Sequence, residues 1–117
     1  MLATDLILQK IQSINGIKNS IIVGRDGLII DSFFYETVDK DLFSAHVLSI
    51  FSQITKQAKR FNPNVPKIII IETDEIVAFI IEIKISDEGM IIYTEFKVGL
   101  DIINTIDILK ETFKTFA

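Results

Sequence analysis

The sequence predicts an α+β fold of order α-β-β-α-β-β-β-α, with a five-stranded antiparallel sheet and helices on its faces. Three observations predict it. Apolar runs flank a short Arg25-Asp26-Gly27 link, which is a strong local hairpin signal. Between about Asp39 and Arg60, apolar residues recur at helical spacing. From Lys67 to Lys97, three apolar runs are separated only by short turns, as in an antiparallel meander.

Taken in order, Thr4 or Asp5 can cap a first helix with an apolar face of Ala3, Ile7, Ile11 and Ile14, ending at Asn15-Gly16. Strands follow at about 17–23 and 28–34, and the turn between them needs Gly24 or Gly27 at positive φ. Asp39 or Asp41 opens the middle helix, which Asn62-Pro63 stops. Strand three is Lys67 to Thr73, and its continuous Ile68–Ile71 run wants cover on both faces. Strand four is Ile76 to Ile85. After Ser86-Asp87-Glu88-Gly89, strand five runs from Met90 to Lys97. The last helix begins near Asp101 and spaces Ile102, Ile106, Leu109, Phe113 and Phe116 by four and three. No linker, repeat or composition shift divides residues 1–117, so one domain is expected.

Composition narrows the function. The chain is 49% hydrophobic with a mean hydropathy of +0.41, yet no apolar run approaches the ~18 residues of a spanning helix. Met1–Lys10 lacks a signal-peptide pattern, and cysteine is absent, which suits a reducing cytoplasm. No membrane insertion is expected. Surplus apolar surface must then go into the core and an interface. Net charge is −4, and the basic cluster of Lys56, Lys59 and Arg60 is too small to be a nucleic-acid footprint. Gly24-Arg25-Asp26-Gly27 spells the backbone-gripping GXXG loop, but it joins strands rather than helices. His46, the sole histidine, reads as an exposed side chain, and no metal or cofactor set accompanies it. No general base, nucleophile and orienting group fall at an interpretable spacing. The acidic residues from Asp26 to Asp41 read as a solvated rim. Phe33-Phe34-Tyr35 cannot all face the core, so at least one packs on the middle helix or is exposed.

At 100° per residue, Phe43, Val47, Ile50, Ile54, Ala58 and Phe61 form the helix stripe expected to face the sheet. Beside it runs a stripe of mostly small residues, Ser44, Ala45, Leu48, Ser52 and Thr55. Such a stripe suits close approach of another helix, and equally an ordinary surface helix with Ser and Thr. Gln53, Lys56, Gln57 and Arg60 lie on the polar arc with His46.

Gly16, the Gly24–Gly27 hairpin, Leu42-Phe43-Ser44-Ala45 at the start of the middle helix and Gly99-Leu100 before the last helix come in an order that resembles the roadblock domain family. The family often has a glycine near the end of the middle helix, where this chain has Asn62-Pro63-Asn64. The resemblance implies a non-enzymatic homodimer in which middle helices pack together and third strands pair edge to edge. It places Ser44, Ala45, Leu48, Ser52 and Thr55, with Lys67, Ile68, Ile69, Ile70, Ile71, Glu72 and Thr73, in that interface. It further implies a Ras-like small GTPase as partner, as for relatives in bacterial gliding motility, near Gln53, Lys56, Gln57 and Arg60. No tail follows the last helix, so no tail-dependent activity is expected. A scaffold or light-chain role without effect on GTP hydrolysis, or a small-ligand sensor, are the alternatives.

Overall fold

The computed structural model describes residues 3–64, 66–85, 87–97, 99 and 101–116, without the side chains of residues 3, 115 and 116. Ser86, Leu100 and the side chains of Ala3 and Phe116, all named above, therefore lie outside the described parts. The elements are α1 (Ala3–Gln12), β1 (Ile17–Gly24), β2 (Ile29–Phe34), α2 (Lys40–Ala58), β3 (Ile68–Glu72), β4 (Ile76–Ile85), β5 (Glu88–Lys97) and α3 (Ile102–Phe116). All five strands form one antiparallel sheet in the order β2-β1-β5-β4-β3. The expected order and fold class hold. β5 is the seam that joins the hairpin to the meander, and β2 and β3 are the edges.

Alternating side chains divide the core in two. On one face Ile22, Phe79, Ile81, Ile92 and Phe96 meet Ile7, Leu8 and Ile11 of α1 and Leu109 and Phe113 of α3. On the other, Ile21, Val23, Ile69, Ile80, Ile91 and Tyr93 meet Val47 and Phe51 of α2. Phe79 and Phe96 stack edge to face at 5.7 Å in the first core. Helices on both faces are what β3, β4 and β5 require, because neither side of these strands is polar enough to face water.

Several local details differ from the sequence reading. α1 already includes Thr4 and Asp5, so neither caps it; Asp5 complements the helix dipole from the first turn. At the hairpin it is Gly27, not Gly24, that takes the left-handed conformation, at φ +89°. The turn closes with Gly24 N donating to Leu28 O at 2.9 Å and Leu28 N to Asp26 Oδ1 at 3.1 Å. Asp39 caps α2 by accepting from Leu42 N at 3.1 Å, while Asp41 sits in the first turn. α2 ends at Ala58, a little before the expected stop.

The inward stripe of α2 is also rotated from the one expected. Ser44, Val47 and Phe51 are buried, Phe43 and Ile50 are half-buried, but Ile54 is 39% and Phe61 91% exposed. The first turns press on the hairpin side of the sheet, and the C-terminal end has no strand beneath its outer residues. Phe33-Phe34-Tyr35 splits three ways: Phe33 packs toward the α1/α3 core, Phe34 stacks on Phe43 at 5.2 Å, and Tyr35 is exposed.

Candidate interaction surface

β3 is bonded to β4 alone, through Ile68↔Ile81, Ile69↔Ile80, Ile70↔Phe79, Ile71↔Ala78 and Glu72↔Val77. Its outer edge carries neither proline nor an inward-pointing charge, the usual devices that keep an edge strand from pairing. Ile69 is buried under α2, whereas Ile70, on the opposite face, is 42% exposed. Lys67 and Thr73 fall just outside the strand. Thr73 belongs to the turn, where its Oγ1 accepts from Ile76 N at 3.1 Å.

Between α2 and this edge lies an apolar hollow of about 230 Å³, lined by Phe43, His46, Val47, Ile50, Ile71 and Tyr93 among others. His46 is exposed, as expected, but it stands on the rim of this hollow rather than on a featureless polar arc. Helical spacing puts Gln53, Ile54 and Gln57 on the same flank as His46 and Ile50. The flank facing β3 therefore reads His46, Ile50, Gln53, Ile54 and Gln57.

The small-residue stripe lies on the opposite flank. Ser44 is only 2% exposed and its Oγ donates to Gly27 O at 3.0 Å. Leu48 packs toward Gly27, where an added Cβ would lie 3.7 Å from its Cδ2. Ala45, Leu48 and Ser52 line a shallow groove beside the hairpin turn, and Thr55 is half-buried. The stripe and the β3 edge, grouped above as one interface, are thus on two sides of α2. Ser44 is spent within the subunit. Gln53, Lys56, Gln57 and Arg60 are all exposed, and Gln53 Nε2 donates to Ser49 Oγ at 3.1 Å.

Beneath the hollow is a polar cluster that the sequence reading missed. Glu95 is buried, accepting from Tyr93 Oη at 2.5 Å and Asn19 Nδ2 at 3.0 Å, with Lys18 Nζ at 3.9 Å. Asn19 Oδ1 in turn accepts from Tyr35 N at 3.0 Å, tying the end of β2 to β1. The signal was an acidic residue between Thr94 and Phe96 in an otherwise apolar strand, two places from a tyrosine on the same face. Tyr93 also stacks on Phe43 at 5.0 Å, so the cluster helps fix α2.

Burial first, and the Glu95 carboxyl second, push the Tyr93 phenol well above its ordinary value of 10.0. The unfolded phenol ionises near that value while the folded one keeps its proton. Stability from this group is therefore complete below pH 10.0 and is lost as pH rises beyond it. The loss is expected to reach about 1.4 kcal/mol per pH unit. Urea unfolding on either side of that pH should show the slope, and Tyr93→Phe should remove it from the difference between variants.

Arg25, at the hairpin turn, forms an ion pair with Glu82 of β4 that crosses over Gly89. A Cβ at Gly89 would sit 3.0 Å from Arg25 Nε, so the glycine makes room for this arm. Asp26, Asp31 and Asp39 each accept a local backbone N–H. Among the described residues no three His, Asp or Glu side chains gather as a metal site, and no helix is long and apolar enough to cross a membrane.

Two helices on one face, one on the other and an unblunted third-strand edge define an α+β module of the helix–hairpin–helix–meander–helix type. The Roadblock/LC7 domain family model matches residues 3–95, and the chain belongs to that family. Its fold is similar to a Roadblock/LC7 domain from Streptomyces avermitilis, at 14% identity and TM-score 0.76, covering 94% of this chain and 90% of that one. It is also similar to the gliding protein MglB from Thermus thermophilus, at 11% identity and TM-score 0.78, covering 98% and 85%. For Myxococcus xanthus MglB the values are 14%, 0.66, 94% and 88%. No curated protein matches the sequence.

Proposed function

We propose that this chain is a single-domain, non-enzymatic roadblock module that forms a homodimer and binds a Ras-like small GTPase, which it regulates or scaffolds in the cytoplasm. The observation that carries the reading is the bare β3 edge beside an apolar flank of α2. Pairing two β3 strands across a two-fold axis satisfies both edges and extends the sheet to ten strands. The same operation brings the two His46–Gln57 flanks together over the hollows. In this reading Gln53 and Gln57 move from the GTPase surface toward the dimer seam, and Ala45 and Ser52 leave it. Lys56 and Arg60 remain outward for a partner. One structural neighbour, an MglB at 12% identity, is described in a tetrameric arrangement. A stable interface of this kind buries about 800 Å² per chain.

Affinity capture from native lysate with GDP and with a non-hydrolysable GTP analogue tests the partner. A Ras-like GTPase enriched in one nucleotide state supports regulation. Equal capture in both states favours a scaffold, and no GTPase in either removes the reading. Because Arg25 is engaged with Glu82, Arg25→Ala should leave any stimulation of hydrolysis within about threefold. A loss approaching the ~10³-fold of an inserted arginine would overturn this and make Arg25 the catalytic arm.

A further inference from the structure

On the sheet face away from α2, a groove of about 640 Å³ lies between α3 and the β3–β4 edge. Ile68, Ile81, Ile83 and Phe113 give it an apolar floor and wall; Lys67, Lys84, Lys110 and Lys114 form its rim. Four of the chain's twelve Lys and Arg residues thus surround one opening on a protein of net charge −4. Lys110 and Lys114 stand one helical turn apart, where like charges repel, and folding gains nothing from that placement. Among the described residues neither ion pair involves any of the four lysines. Glu82 also borders the groove, but its carboxylate is engaged with Arg25.

The shape selects the kind of partner. Ile83 and Phe113 are each only 7% exposed, so the apolar floor is recessed below the lysines. A bilayer surface cannot reach into such a trough, whereas side chains projecting from a peptide can. The β3–β4 ladder already uses the backbone groups between these strands, so recognition here is by side chains and not by strand addition.

We propose that this groove docks an acidic amphipathic segment of another protein, whose large apolar side chains enter over Ile81, Ile83 and Phe113 while its carboxylates meet the four lysines. The site is separate from the α2 surface and does not rest on the dimer or on a GTPase partner.

The test is selection of a random short-peptide display library on the full chain, followed by affinity measurement and amide-shift mapping. Enriched peptides should combine several Asp or Glu with large apolar residues, bind more weakly at high salt, and shift Ile68, Ile83 and Phe113. Reversing two rim charges (K110E/K114E) should weaken them at least about tenfold, since two favourable exposed pairs become two unfavourable ones. Reversing two charges elsewhere (K40E/K97E) should change binding less than about threefold. Peptides without acidic bias, shifts confined to α2, or unchanged affinity in K110E/K114E would each overturn the proposal. So would phosphatidylserine vesicles that bind through these lysines when no peptide does.

Discussion

Ile70→Lys should turn a dimer into a monomer without unfolding it. Ile70 is the middle residue of β3, so in a two-fold antiparallel pairing centred on the strand it faces its own copy across the axis. Its exposed fraction becomes buried in the dimer, which contributes about 1 kcal/mol per subunit at the usual apolar coefficient. Lysine removes that contribution twice and sets two like charges opposite each other, costing up to about 1 kcal/mol more. The sum, about 3 kcal/mol, raises the dimer dissociation constant roughly a hundredfold. Within one subunit the change is mild, because lysine on an exposed edge is well tolerated. Light scattering after gel filtration should therefore fall from twice the 13.3 kDa chain mass to one, with unfolding midpoints nearly unchanged. A wild-type monomer, or a variant of undiminished mass, would overturn edge pairing. Ile69 is the wrong place for such a charge: it is buried beneath α2, and a lysine there would unfold the subunit.

A pair of helix variants separates the two flanks. Ile54→Glu, on the flank toward β3, should also weaken the dimer. Ser52→Glu, beside the hairpin turn, should not. Sequence periodicity alone favoured the second flank, and the reason is instructive. Helical projection orders residues around an axis but does not fix which direction points at the sheet. That direction was set by Phe51 and by the Ser44–Gly27 contact, both of which depend on where the hairpin turn sits.

The same distinction runs through the rest of the chain. Strand order within each meander was legible because short turns allow only antiparallel neighbours, and β4 was placed residue for residue. The β1–β5 pairing that fuses the two meanders was not legible, since Ile17↔Phe96 and Gly24↔Met90 are contacts between residues far apart in the sequence. Of the interaction surface, the exposed edge could be read from an apolar strand lacking charge. The hollow could not, because it is made jointly by α2, β3, β4 and β5. The lysine rim was invisible for the same reason: Lys67, Lys84 and Lys110 come from three elements that only the fold assembles.

Glu95→Ala should be the most damaging single change to stability. It strips the acceptor from two donors that the fold has buried, Tyr93 Oη and Asn19 Nδ2, and neither has water to replace it. Leaving a buried donor unsatisfied costs about 1–3 kcal/mol, so the pair together cost about 3–5 kcal/mol. For a domain whose whole stability is about 5–15 kcal/mol, that is a large fraction. Glu95→Gln keeps the shape and one acceptor but turns an amide N–H₂ toward a donor, and should cost about half as much. Tyr93→Phe combined with Glu95→Ala should cost less than the two single changes added, because removing both partners of a hydrogen bond leaves no orphan between them. Urea unfolding of the four variants measures all of this. The damage should also reach the interaction surface: Tyr93 lines the hollow and stacks on Phe43, so loosening it frees α2 to shift. Dimer affinity should then fall in Glu95→Ala although Glu95 touches no partner. A loss of stability below about 1 kcal/mol would mean that the cluster opens to solvent, and would remove both expectations.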